Sequence, residues 1–204
     1  MTTYAILYQD IQDWSENDDS ECADELDTII GLAEERIFRE APFIPAARGQ
    51  DTGNCVSSTE EITLGATTRS IRSISVTVSG SEVVLHQRLD SFIRDYNPAG
   101  ATGVPKYYAQ EDDNTIILAP IPNSTYAYTI YASIKPTGLS SGNTTTWLGT
   151  NANDLLLFAC MVEASAFMKN DVGMARWEGR YQVALASIQG EMMRDIGNES
   201  TVGA

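Results

Sequence analysis

The chain has one histidine, His86, in 204 residues, and only 13 basic side chains against 28 acidic ones. With one imidazole, any Ser-His-Asp or Cys-His pair must be built on His86. Its place in a strand-like stretch beside Leu85 instead gives it a structural role. No HExxH, Walker loop or dinucleotide glycine fingerprint occurs, so the sequence offers none of the usual metalloprotease or nucleotide sites. The scarcity of lysine and arginine, with a net charge of −15 and a pI near 4.3, excludes an exposed basic footprint for gripping phosphates. It does not exclude DNA passing nearby, because an acidic wall repels the backbone. Cys22, Cys55 and Cys160 are far apart, without the close pairs of metal sites or disulfide scaffolds. Reduced thiols and a cytosolic compartment are expected. The opening MTTYAILYQDIQDW lacks a basic leader and carries Asp10 and Asp13, so no secretory signal is expected. The most apolar run, residues 155–168, is shorter than a bilayer span and holds Glu163, so no membrane is expected either.

What is present is an ordinary globular balance, 43% apolar and 20% charged, in a length that suits one domain or one domain with an embellishment. The acid is concentrated at one end. Residues 1–41 carry 12 acidic and 2 basic side chains, which is two thirds of the net charge in one fifth of the chain. Asp18, Asp19, Glu21, Asp24 and Glu25 form the densest stretch. A solvated helix face explains such a run, and the alternative is a surface that must face like charge without sticking to it.

Tyr4, Leu7, Ile11 and Trp14 recur at three-four spacing and predict a helix over residues 3–14. Ser20 is the expected N-cap of a second helix over residues 21–40, striped by Ala23, Leu26, Ile30, Ala33 and Ile37 and stopped by Pro42 and Pro45. From residue 56 the period falls to two. Ile74, Val76 and Val78 alternate with Ser75 and Thr77, Gly80 marks a turn, residues 106–110 and 115–119 flank a hairpin turn, and Tyr126 to Ile134 alternate most clearly. Residues 136–153 read as a long polar loop anchored by Trp147 and Leu148. Helical signal returns over residues 155–168, apolar all round and so expected at the centre of the fold. A last helix, separated by Gly173, carries Met174, Trp177, Tyr181, Ala184 and Ile188.

The order predicts an α+β fold, an antiparallel-type helical bundle of two N-terminal and two C-terminal helices with a small β-rich domain inserted. The boundaries are residues 1–45 for the first helix pair, 46–150 for the β-rich insert and polar loop, 151–196 for the second pair, and 197–204 for a flexible tail. No catalytic, metal or cofactor site stands out, and no cofactor is expected. Glu34–Glu35 point about 100° apart on a helix, and Asp112–Asp113 lack EF-hand spacing. A two-carboxylate hydrolase stays open only because acids are plentiful.

A family resemblance is carried by the opening TYxxLxxxIxxW, the segment IIGLAEERIFRE, then GVPKYYAQEDDNTIILAPIPNSTYAYTIYAS, LSSGNTTTWLGTNANDLLLFACMVEASAFMKND and WEGRYQVALASI. In this order and spacing they resemble bacteriophage head-to-tail adaptor proteins of the tail tubular A type, over most of residues 3–190. Residues 41–70 match least. The resemblance implies a structural virion protein of the head-tail neck, made in the host cytoplasm and without catalysis. It implies a homo-oligomeric, dodecameric ring between the portal protein and the tail nozzle or tube. That ring lines the DNA ejection channel, through which double-stranded DNA passes without specific binding. Another neck protein, a head-closure, stopper or tail-terminator ring, is the alternative. On this reading Asp18, Asp19, Glu21 and Asp24 are channel-facing candidates. Glu34, Arg36 and Arg39, in the segment matching the family's AExRIxRE, are expected to pair within or between subunits. Pairing of Arg36 and Arg39 with Glu35 and Glu40 on their own helix, in either combination, is equally open. Gly197, Asn198 and Val202 are candidates for docking on the portal or a neighbouring subunit.

Overall fold

The computed structural model describes residues 1–17 and 19–202, with side chains through residue 194. Its elements in chain order begin with α1 (Tyr4–Ser15), α2 (Ser20–Glu40), a short 3-10 turn (Pro45–Ala47), β1 (Arg48–Cys55), β2 (Glu61–Thr63), β3 (Thr68–Val78) and β4 (Ser81–Gln87). There follow α3 (Asp90–Tyr96), β5 (Thr102–Gly103), β6 (Tyr107–Gln110), β7 (Thr115–Ala119), β8 (Ile121–Pro122) and β9 (Tyr126–Ile134). The chain ends in α4 (Trp147–Asn151), α5 (Asn153–Phe167) and α6 (Asp171–Val202). The fold is mixed α+β and divides into two compact units, Met1–Ala47 with Pro136–Ala204, and Arg48–Lys135.

The helical unit is organised around α5, which packs against α1, α2 and α6. Leu155, Leu156, Ala159, Cys160, Met161, Val162 and Ala164 are buried on it, so its apolar surface is consumed on nearly all sides. Leu7 and Ile11 of α1, Leu26, Ile30, Ala33 and Ile37 of α2, and Tyr181, Leu185 and Ile188 of α6 complete the core. The Thr3 hydroxyl accepts the Ile6 N–H to cap α1, and left-handed Glu16 (φ 52°) ends it. Asp19 occupies the N-cap position of α2, one residue before the expected Ser20, which already lies in the first turn. The break before α6 also differs from expectation. It lies at Lys169 (φ 56°) and Asn170, whose Oδ1 accepts the Gly173 N–H at 2.9 Å. Gly173 is therefore inside the first turn, where a Cβ would meet the Asn170 amide at 2.8 Å.

Residues 136–150, read from the sequence with the β-rich insert, belong with the helices. The reason is packing, since Leu139 and Leu148 enter the helical core. The backbone ties them too: Thr2 N–H donates to Gly149 O at 2.7 Å and Tyr4 N–H to Thr144 O at 3.0 Å. Within this stretch Thr146 accepts the Gly149 N–H and starts α4, which the polar composition concealed. At the other end α6 continues through Gly197 to Val202, where the sequence reading ends the helix near 196. No proline follows Gly197, and a helix already nucleated propagates through one glycine at a cost of about 1 kcal/mol.

The second unit is a seven-stranded sheet in the order β1-β9-β3-β4-β6-β7-β2, with a separate β5-β8 pair. All neighbours in the large sheet are antiparallel except β4 and β6. Ser79 and Gly80, both at positive φ, close the β3-β4 hairpin in the two-residue turn suited to strand twist. Ile74, Val76, Leu85, Tyr108, Ile116, Leu118 and Ile130 face its core. β1, with the sequence RGQDTGNC, has little strand propensity, yet it pairs with β9 along all eight residues. Its glycines explain this, because a Cβ at Gly49 would lie 2.7 Å from the Ile134 side chain and one at Gly53 2.5 Å from the Tyr128 hydroxyl.

Candidate functional site: the charged faces of the helical unit

Three charged regions lie on the helical unit. The first is the acidic turn into α2. Asp19, Glu21, Asp24 and Glu25 are all exposed, while Asp18 lies outside the described residues. The turn is fixed from both sides. Asn17 Oδ1 accepts the Asp19 N–H at 3.0 Å and its Nδ2 reaches Met168 Sδ at 3.4 Å, tying the turn to the end of α5. Asp27, one turn further, accepts the Tyr4 hydroxyl at 2.5 Å, and this hydrogen bond, with burial second, pushes the phenol up to about 12. Cys22 beneath the turn is raised by burial and by the Asp19 charge, so its thiol stays protonated and inert.

The second region joins α2 to α6. Arg36 Nε donates to Glu40 at 3.0 Å and its Nη2 to Glu178 at 2.6 Å, with the guanidinium 4.3 Å above the Tyr181 ring. Tyr181 donates its hydroxyl to Glu40 at 2.9 Å, and Gln182 donates to Glu178 at 2.8 Å. The Glu178 bond raises the Arg36 pKa against burial, Glu40 adding to it, and the Arg36 bond lowers Glu178. Burial, then the Glu40 hydrogen bond, raises the Tyr181 phenol. Every charge here is satisfied inside one chain. Arg39 pairs with Glu35 on its own helix at 3.3 Å.

Glu34 goes elsewhere. It is only 4% exposed, and its Oε2 accepts the Leu139 N–H at 2.9 Å instead of meeting an arginine. Burial raises its pKa, and the Leu139 N–H opposes that. A Cβ on Gly138 would come within 2.6 Å of the same oxygen, so the strap at 138–139 is fitted to this carboxylate. Cys160 is raised by burial and, after it, by the Glu34 charge. The sequence held a signal for this. Glu34 is four residues after Ile30 and three before Ile37, on the buried stripe.

The third region, on α6, was not singled out from the sequence. Arg180 stacks 4.9 Å above Trp177 and 6.0 Å from Phe158, and Trp14 of α1 packs edge-on against Trp177 at 5.4 Å. Exposed Arg176 and Val183 border the same shallow groove. A separate apolar crevice of about 210 Å³ lies between the end of α2 and α6, lined by Phe43, Ile44, Met192 and Met193. Among the described residues no three His, Cys, Asp or Glu side chains cluster as metal ligands. His86 is exposed on β4, its ring 6.4 Å from that of Tyr107. No described helix is long and apolar enough to cross a membrane.

Among the described residues the charges of the helical unit sit on helix faces that either lock the unit or meet solvent, apart from the buried Glu34. A family model described as SU10 adaptor protein matches residues 2–201. The chain belongs to that family. Nearly the whole chain is covered, including residues 41–70, where the resemblance is thinnest. SU10-type adaptors are phage head-to-tail adaptors, structural proteins built into the virion among other neck or tail components. A search of curated proteins finds no match. Of the sequence-derived candidates, Asp19, Glu21 and Asp24 are together on the first turns of α2, and Arg36 and Arg39 are engaged with carboxylates. Gly197, Asn198 and Val202 lie on the last turns of α6.

Proposed function

We propose that this adaptor assembles as a closed, dodecameric ring between the portal protein and the tail nozzle or tube, surrounding the path of ejected DNA. The family match along residues 2–201 carries the reading. In it the helices act as a bundle forming the body of the ring, and the sheet unit is an inserted domain that extends the contact surface. A closed heterologous ring needs two different faces per subunit. The acidic turn and the α6 arginine face supply surfaces of opposite sign.

Asp18, Asp19, Glu21 and Asp24 are assigned to the DNA passage. A duplex carries about one negative charge per 1.7 Å, so acids on the wall keep it from sticking as it slides. Gly197, Asn198 and Val202 are assigned to docking on the portal or a neighbouring subunit. The decisive experiment is a map of virion necks with this chain labelled. It should show a ring under the portal with the α2 acids within about one Debye length of the lumen, roughly 8 Å at physiological salt. A portal-independent two-fold dimer in solution refutes the ring, and acids farther from the lumen refute the channel assignment. Removing residues 197–204 should weaken attachment to portal rings; unchanged attachment and normal particle yield refute the docking role.

A further inference from the structure

α6 is 32 residues long, and only part of its circumference is used by its own chain. Glu178, Tyr181 and Gln189 point to α2, where they meet Arg36 and Glu40. At about 100° per residue, Val172, Arg176, Arg180, Val183 and Ser187 fall on the opposite side, and all five are exposed. The chain has more than two carboxylates for each cation, and Asp154 lines the same groove as Arg176 and Arg180. Yet among the described residues neither arginine is in an ion pair with a carboxylate, and two guanidinium groups against one carboxylate leave the groove net positive. Val183 is 73% exposed between them and Ser187. Gly179, beside the arginines, has nothing within 4 Å of the place a Cβ would take, so its own unit makes no use of the missing side chain. A mid-helix glycine costs about 1 kcal/mol against alanine.

α2 presents the complement. Glu21, Glu25, Thr28 and Leu32 fall along one exposed edge, with the acids in the first turns and Leu32, 50% exposed, two turns on. Resting on the ring reading above, we propose that the α6 face of one subunit receives the α2 edge of the next. With the two helices running parallel, Glu21 and Glu25 meet Arg176 and Arg180, Thr28 lies beside Val183 and Leu32 beside Ser187, the spacings along the two helices being the same. The occupant is a second copy of this chain. Charge complementarity argues for it, because the arginine-aromatic groove on α6 and the acidic edge on α2 are two different patches that, among the described residues, do not pair with each other within one chain, as a heterologous contact requires. Glu21, neutralised in this contact, drops out of the acids that repel the duplex, and Asp18, Asp19 and Asp24, its neighbours in the chain, keep that role, so the contact adjoins the ring's inner wall.

Charge exchange in the full chain, co-expressed with the phage's portal protein, tests this. Arg176→Glu with Arg180→Glu, or Glu21→Arg with Glu25→Arg, should each lower ring occupancy on portals at least on the order of tenfold, because like charges then face each other across the contact. All four substitutions in one chain should restore it. Gly179→Leu keeps the subunit folded, as circular dichroism would verify, and should also block ring closure. A Glu25→Cys, Gly179→Cys chain treated with a bismaleimide should give a ladder of linked subunits, since Cys22, Cys55 and Cys160 are buried. If rings form on portals and resist both charge reversals and Gly179→Leu, the contact is wrong and the adaptor ring stands. If the wild-type chain never joins a portal ring, the ring reading fails and takes this contact with it.

Discussion

Replacing Glu34 separates the two things its carboxylate does. It satisfies the buried Leu139 N–H at 2.9 Å, and it carries a charge that burial disfavours. Glu34→Gln keeps an acceptor oxygen of the same reach and removes the charge; Glu34→Ala removes both. The native pKa lies above the ordinary value of 4.5, so the folded state holds this proton more tightly than the unfolded state does. The resulting stabilisation is fully present below the unfolded value and is lost as pH rises through the folded one. Each unit of the rise is worth about 1.4 kcal/mol. Wild type should therefore lose stability relative to Glu34→Gln as pH rises above the ordinary value of 4.5 and through the raised folded-state value. Glu34→Ala strands a buried N–H, at a cost of about 1–3 kcal/mol, and opens a cavity besides. It should be destabilised at every pH. Urea melts at half-unit pH steps measure all three. Parallel wild-type and glutamine curves across the window would refute the argument, because they would mean that Glu34 titrates alike in both states.

Arg36→Ala should destabilise the helical unit by about 1–2 kcal/mol, a modest figure because the partly exposed pairs are screened and the Tyr181 ring contact adds less than a full buried pair; urea denaturation measures it, and no loss would mean that the Arg36, Glu40, Glu178 and Tyr181 contacts are idle. Gly31→Ala, with open space around it on α2, should stabilise by up to about 1 kcal/mol, whereas Gly53→Ala must displace the Tyr128 ring and should lower the melting temperature. Leu139→Ala should cost about 2–5 kcal/mol as a buried large-to-small change, and amide exchange over residues 136–146 should speed up with it; an unchanged melt would remove the strap from the core.

Periodic segments were legible in the sequence. The stripe at Leu7 and Ile11, the all-round apolar run of α5, the alternation of Tyr126 to Ile134 and the hairpin at residues 107–119 each encode burial directly, and burial is what a pattern records. β1 was hidden because its strand exists through its partner: Gly49 and Gly53 are there so that Ile134 and Tyr128 can lie across them. α3 and α4 are one to two turns long, too short for periodicity to show. Among the charged groups, Glu34 was legible from its position on the apolar stripe. The Arg36, Glu40, Glu178 and Tyr181 lattice was not, since it joins residues 142 positions apart and no local spacing announces it.

The helical unit is drawn from both ends of the chain, whereas the sheet unit is one uninterrupted stretch, Arg48–Lys135. On the ribosome this imposes an order. At synthesis rates of about 5–20 residues per second, α1 and α2 wait roughly 6–25 s for α5 to be completed, with Leu7, Ile11, Leu26 and Ile30 lacking the surface they bury against. The sheet unit has all its strands by then and can close first. The nascent helix pair is therefore the stretch a chaperone should grip, and α5 is the piece whose arrival releases it.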